Sequence, residues 1–187
     1  GGMVALLVVA VVGFGNVKHL FFPDSSMTKF MIDYWAPEGT RIQDVSASLK
    51  RIEARLANDD RVEAVATFVG GGPPRFYLPV EPEPQYESYG QLIVNVADYR
   101  TIDDLLSELN PWLGDNFPDA LIPTRKFGVG PSNTWKFAVR FSGPAEAEPE
   151  ILRSLADEGV AILVANPLAG HTQTNWRQRV QTVVPEY

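Results

Sequence analysis

The sequence predicts an α+β fold in which two helices pack on one face of an antiparallel sheet, preceded by an apolar helix. Two amphipathic segments each lie between segments rich in β-branched and aromatic residues, in the order βαββαβ. An uncharged apolar run precedes them. This order is typical of a ferredoxin-like sandwich. The chain has 187 residues, 45% hydrophobic and 21% charged, which is enough for one domain or two small ones.

The N-terminal run, residues 3–14, contains no polar side chain. Extended to Phe22, it reaches the length of about 20 residues that a membrane span requires. Its second half is interrupted by Asn16, Lys18 and His19. Aromatic and basic residues at the end of the run suit a membrane–water interface. We interpret residues 1–22 as the end of a transmembrane helix, with a secretory signal peptide and a buried core helix as alternatives.

The first strand–helix–strand unit follows Pro23. Residues 28–35 are rich in aromatic and β-branched side chains and predict a strand. Apolar residues then recur at spacings of three and four, which predicts a helix whose apolar face consists of Ile42, Val45, Leu49, Ile52 and Leu56. Thr40 is the predicted N-cap of this helix. Residues 62–69 predict the second strand.

The second unit repeats this plan. Residues 91–96 predict a strand, and residues 120–127 predict the strand that closes the unit. Between them, a helix is predicted by an apolar stripe of Ile102, Leu105, Leu106, Leu109, Trp112 and Leu113. Residues 23–130 therefore form the predicted ferredoxin-like subdomain.

A third unit follows a linker at Gly128–Pro131. The pattern predicts a strand at residues 135–141, a helix around Ile151 that ends at Gly159, and strands at residues 160–165 and 177–184. Residues 131–187 are accordingly predicted to be part of a second, similar subdomain without its second helix and final strand.

A long loop, residues 70–90, joins the second and third predicted strands. Loops longer than about 12–15 residues are uncommon in compact domains and are usually functional or disordered. Three glycines at residues 70–72 let the backbone turn freely, and apolar area is contributed by Phe76, Tyr77, Tyr86 and Tyr89. Such aromatic side chains suit a site for hydrophobic ligands or a partner surface, and the alternative is that they only pin the loop to the sandwich.

Composition excludes several classes of function. There is no cysteine, which rules out thiolate chemistry, and two histidines are too few for a His-rich zinc site. With 16 basic and 23 acidic residues the net charge is −7, which argues against nucleic-acid binding. No nucleophile–base pair is recognisable in the sequence. We therefore expect no enzymatic activity, no catalytic residue, no metal and no cofactor.

A series of short motifs runs along the chain. They are Phe21–Asp24, Ala36–Thr40, Val62–Val65, Gly90–Leu92, Phe117–Ala120, Gly128–Pro131 and Phe141–Gly143. In this order they resemble the segment after the seventh transmembrane helix of resistance–nodulation–division (RND) efflux transporters of the acriflavine-resistance type. The resemblance covers the chain from about Met3 onward and is carried by the ordered set, since no single motif is specific.

The resemblance implies a porter-domain fragment from the second half of a multidrug efflux pump, comprising one complete porter subdomain and the beginning of its neighbour. Members are proton-driven antiporters that form homotrimers in the bacterial inner membrane. They often work with a periplasmic adaptor and an outer-membrane channel, and they export hydrophobic or amphiphilic small molecules. The folded part of this chain would then lie in the periplasm.

In that family the loop between the second and third strands separates two substrate pockets, which strand aromatics line. The matching positions, and hence the substrate-binding residues that the resemblance implies, are Phe68, Gly70, Gly71, Gly72, Arg75, Phe76, Tyr77, Ile93 and Phe127. Ala66 and Pro123 stand where multidrug members tend to carry phenylalanines, so the exported molecule is left open. The alternative function is a membrane-anchored ferredoxin-like binding module without transport activity.

Overall fold

The computed structural model describes residues 2–15, 25–128, 137–144 and 146–180, and within these ranges it is an α+β fold. A single antiparallel sheet contains four strands, β1 (Lys29–Trp35), β2 (Val62–Val69), β3 (Tyr89–Val96) and β4 (Thr124–Lys126), in the order β2-β3-β1-β4. The described residues form four α-helices, α1 (Gly2–Gly15), α2 (Ile42–Ala57), α3 (Ile102–Asn116) and α4 (Pro149–Val164).

The helices α2 and α3 cover one face of the sheet. The buried side chains of α2 are Val45, Leu49, Ile52 and Leu56, and those of α3 are Ile102, Leu105, Leu109 and Leu113. They pack against the inward residues of the central strands, which include Phe30, Ile32, Leu92 and Val94. Burial of each such side chain contributes about 1.5–3 kcal/mol to folding. The helical periodicity thus correctly predicted both helices and most of their buried faces.

Two details at the start of α2 differ from the prediction. Ile42 was expected to face the sheet but is 37% exposed, because it lies in the first helical position, beyond the edge of the core. Thr40 is not the N-cap, since that position belongs to Arg41. The Thr40 hydroxyl instead donates a hydrogen bond to the carbonyl of Pro37 at 2.7 Å, within a turn that contains Gly39 at a φ of 85°.

The closing strand is shorter than predicted. β4 has only three residues, although a separate bridge joins Leu121 to Trp35. The interruption falls at Pro123, which has no N–H to donate to the ladder. Its carbonyl still accepts a hydrogen bond from the backbone N–H of Asp33 at 3.0 Å.

The C-terminal part differs more strongly from the predicted pattern. Of the strand predicted at residues 135–141, residues 135 and 136 lie outside the described residues and residues 137–141 form no strand. The helix α4 continues through Gly159 to Val164, so the strand predicted at residues 160–165 is wrong. A helical glycine costs about 1 kcal/mol relative to alanine. Gly159 makes room for the ring of Phe141, which would lie only 3.2 Å from a Cβ added at Gly159. Residues 177–180 form no strand, and residues 181–184 lie outside the described residues.

The helix α1 consists almost entirely of exposed apolar residues, and none of its side chains is buried. In the described part of the chain, no helix combines the length and apolar character needed to cross a membrane. Residues 16–22 of the predicted span lie outside the described residues.

Candidate functional site

The candidate site lies on the face of the sheet opposite α2 and α3, where the loop between β2 and β3 folds back over the strands. The loop is closed at its base by two backbone hydrogen bonds, from Gly70 N to Tyr89 O at 2.8 Å and from Tyr86 N to Gly70 O at 3.1 Å. Gly70 has a φ of 77°, in the left-handed region that favours glycine. Of the three consecutive glycines, it alone requires that freedom.

The middle of the loop packs on the sheet through aromatic contacts with Phe127, which is fully buried. The ring centroids of Phe76 and Tyr77 lie 5.8 Å and 5.5 Å from that of Phe127, both edge to face. The Tyr77 hydroxyl also donates a hydrogen bond to the carbonyl of Gly128 at 2.9 Å. Met31, Val80 and Ile93 also belong to this cluster, and Met27 packs against it. We call Met31, Phe76, Tyr77, Val80, Ile93 and Phe127 the loop cluster.

The loop cluster contains four of the nine predicted substrate-binding residues, Phe76, Tyr77, Ile93 and Phe127. Phe76 is 50% exposed and Arg75 is also exposed, so this end of the loop presents an apolar and a cationic side chain to solvent. Gly72 lies over Gln91: a Cβ added at Gly72 would be 3.3 Å from Gln91 Oε1. Phe68, Gly70 and Gly71 are not among the residues packed into the loop cluster.

The cavity at the loop cluster is smaller than a ligand. The cavity beneath the loop, lined by Phe76, Val80 and Gln91 among others, has a volume of about 10 Å³. Such a space holds roughly one water molecule, whereas small-molecule sites occupy about 300–1,000 Å³. In this conformation the aromatic side chains pin the loop to the sheet.

A buried polar network lies beside the loop cluster, and the sequence interpretation missed it. The side chain of Asp33 is 1% exposed, and its Oδ1 accepts hydrogen bonds from the Tyr89 hydroxyl at 2.7 Å and from Gln91 Nε2 at 2.6 Å. Arg125 Nε lies 3.1 Å from Asp33 Oδ2 in an ion pair. The sequence contains one signal for this network. Alternate residues of a strand face opposite sides of the sheet, and this alternation puts the charges of Asp33 and Arg125 on the face away from the helices.

The negative charge of Asp33 affects two neighbouring groups. Burial, followed by the charge of Asp33, raises the pKa of Glu83 in the loop. The same two causes raise the pKa of the Tyr89 hydroxyl, so this group stays a hydrogen-bond donor to Asp33. Removing one partner of a buried ion pair typically costs about 3–5 kcal/mol. The network therefore holds the strands together beneath the loop.

A second concave region lies beside the other end of β1. It is bounded by the β1–α2 turn, by α4 and by residues 172–179, and encloses about 500 Å³. Within it, the Arg177 guanidinium stacks on Trp35 and Tyr86 and forms an ion pair with Glu38. The sequence offered no signal for this contact, because Arg177 is remote from its partners along the chain.

Comparison with known proteins assigns no family: no family model matches the chain, and no curated protein matches it significantly. Within the described ranges, no three potential metal ligands of the His, Cys, Asp or Glu type lie together.

Proposed function

We propose that the chain is a porter-domain part of a proton-driven RND efflux transporter, and that the loop cluster contributes to the binding and passage of hydrophobic or amphiphilic molecules. The observation that carries this proposal is the position of the loop. It crosses the open face of the sheet and brings Phe76 and Tyr77 against Phe127. These are positions that the family resemblance assigns to substrate pockets.

The topology supports the fold that this proposal requires. The strand order β2-β3-β1-β4, with α2 and α3 on one face, agrees with a ferredoxin-like arrangement of βαββαβ units. In this proposal residues 23–130 are one porter subdomain and residues 131–187 begin the next. The whole protein is then an inner-membrane homotrimer that works with a periplasmic adaptor and an outer-membrane channel.

Substrate binding at the loop cluster requires the loop to move, because the cavity beneath it is too small for a ligand. Its base is closed through Gly70, while its aromatic side chains are held mainly by apolar contacts, which lack direction. An apolar ligand that replaces the contact between Phe76 and Phe127 recovers the same kind of buried area. Loop movement then provides both entry and release.

Export measurements on loop variants test this proposal. In the complete protein that contains this chain, Phe76→Ala combined with Tyr77→Ala should lower the export of lipophilic dyes, with expression and assembly unchanged. Tyr77→Phe is a first control, since it keeps the ring and loses only the hydrogen bond to Gly128. Tyr99→Ala is a second control, because it removes a partly exposed aromatic outside the loop. Unchanged export of every tested dye in the double variant would leave the loop with a structural role only.

One observation favours the alternative of a membrane-anchored binding module. The helix α1 exposes a continuous apolar surface, which can attach a domain to a membrane without any transport. The two proposals differ in whether dye leaves the cell at the expense of a proton gradient.

A further inference from the structure

We propose that Trp35, Tyr86 and Glu38 form a binding site for an organic cation, and that Arg177 of the same chain occupies this site in the structure. We call these three residues the cation cage. The proposal concerns a different end of the sheet from the loop cluster and does not depend on transport.

The contacts of Arg177 define the chemistry of the cage. Its guanidinium carbon lies 4.5 Å from the centroid of the Trp35 ring and 4.7 Å from that of Tyr86. Both distances are within the roughly 6 Å that a cation–π interaction requires. Glu38 supplies the counter-charge through an ion pair, and the Ser88 hydroxyl accepts a hydrogen bond from Arg177 Nη2 at 3.2 Å. Aromatic faces around a cation are the means by which proteins bind quaternary ammonium groups.

The aromatic walls of the cage are held by contacts that do not involve Arg177. Trp35 is 7% exposed, exchanges two backbone hydrogen bonds of 2.9 Å with Leu121, and lies 4.2 Å from the ring centroid of Tyr89. Tyr86 is held by its backbone bond to Gly70. The cage is therefore expected to keep its shape when the arginine leaves.

Arg177 combines an unusual backbone conformation with a segment that has no buried residue. Its φ of 49° lies in the left-handed region, and among the described residues it is the only non-glycine with a positive φ. No residue in the range 171–180 is buried. Besides the cage, three side-chain contacts tie this segment. Gln178 Oε1 accepts a hydrogen bond from Glu38 N at 3.1 Å, Arg153 donates one to the Arg177 carbonyl at 2.6 Å, and Arg179 pairs with Glu150. A small number of polar contacts thus holds a strained residue in an aromatic site.

There is also room for a ligand larger than a guanidinium. The adjoining cavity of about 500 Å³ falls within the range of about 300–1,000 Å³ typical of small-molecule sites. Its outer walls carry charges of both signs, including Asp157 on α4 and Arg179, which pairs with Glu150. The cage itself contributes only the negative charge of Glu38, so it selects a cation at its centre.

Titration of the full 187-residue chain with choline, in a non-ionic detergent, tests the proposal. Binding is followed by the NMR signal of the Trp35 indole N–H. An internal competitor reduces the apparent affinity to the fraction of time that the site is empty. If Arg177 fills the cage about nine-tenths of the time or more, Arg177→Ala should bind choline about tenfold more tightly or better. Arg177→Lys keeps a cation in the cage and should bind as weakly as the unmodified chain. Arg177→Gln, which keeps a long uncharged side chain, should show the same gain as Arg177→Ala.

The controls separate cation recognition from simple apolar binding. The neutral isostere 3,3-dimethyl-1-butanol should not bind Arg177→Ala, and adding Tyr86→Ala or Glu38→Gln to that variant should weaken choline binding. Equal choline affinity in the unmodified chain and in both uncharged Arg177 variants would overturn the proposal. Binding of the neutral isostere as tightly as choline would also overturn it.

Discussion

Asp59 shows how much of the local architecture one charged residue organises. It follows α2, and its carboxylate receives two hydrogen bonds from the Arg61 guanidinium, from Nε at 2.8 Å and from Nη2 at 2.7 Å. Arg61 also reaches Glu108 on α3 at 2.8 Å, so this pair ties the end of one helix to the other. The hydrogen bond from Arg61 is the largest cause that lowers the pKa of Asp59 to about 2.

The low pKa of Asp59 predicts acid sensitivity in a defined window. Its value in an unfolded chain is about 3.9, so the ion pair stabilises the fold fully above about pH 4 and loses this effect as the pH falls towards 2. Asp59→Asn should lower the free energy of unfolding at pH 7 by about 1 kcal/mol, since solvent screens part of the interaction. Urea unfolding at several pH values measures both effects.

The matched control for this prediction is Asp60→Asn, which changes an exposed neighbouring carboxylate. If Asp59→Asn and the unmodified chain lose the same stability between pH 4 and 2, the ion pair is not responsible for that loss. The sequence does not predict the pairing of Asp59 with Arg61, because a three-residue turn can present its side chains in several directions.

At the scale of elements, success in sequence prediction followed the strength of the periodic signal. Residues 62–69 were predicted as a strand and form β2, and the apolar stripes located α2 and α3. The prediction failed at residues 160–165, where a short apolar run satisfies a strand and a helix equally well. In this helix Gly159 lies against Phe141, a contact that is not a local feature of the sequence.

The packing of α2 on β3 gives a prediction about a single glycine. A Cβ at Gly90 would lie 2.3 Å from Leu49 Cδ1 and 2.9 Å from the carbonyl oxygen of Phe68, and the latter is backbone that cannot easily move. Gly90→Ala should therefore destabilise the fold by about 1–3 kcal/mol or more, as overpacking does. Thermal unfolding followed by circular dichroism measures the loss.

Gly114 in α3 is the control for this substitution. A Cβ there would meet nothing within 4 Å. Gly114→Ala should thus stabilise the chain by about 0.5–1 kcal/mol, because alanine is the better helix former. Equal effects of the two substitutions would show that α2 does not approach β3 as closely as described.

At the scale of the whole molecule, the sequence predicted the α+β organisation but not which residues would meet. The alternation of β1 implied that Asp33 and Trp35 share a face, yet their partners Arg125 and Arg177 come from distant parts of the chain. The candidate site was predicted in part: the aromatic residues of the loop were recognised, whereas their packing against Phe127 on the sheet depends on tertiary structure.

The helix α1 gives a prediction about association. Its exposed apolar surface should drive self-association or detergent binding. Removing residues 1–15 should yield a chain that runs as a smaller particle in size-exclusion chromatography without detergent, with an unchanged melting temperature, because no side chain of α1 is buried. Loss of folding after this deletion would mean that α1 belongs to the core.

The proposal of a proton-driven export function is tested most directly by dye efflux from cells. Cells without their own multidrug pumps, expressing the complete protein that contains this chain, are loaded with a lipophilic fluorescent dye. The account predicts that dye leaves these cells faster than control cells and that an uncoupler, which collapses the proton gradient, abolishes the difference. Dye retention equal to that of control cells, with the protein present in the membrane, would contradict it.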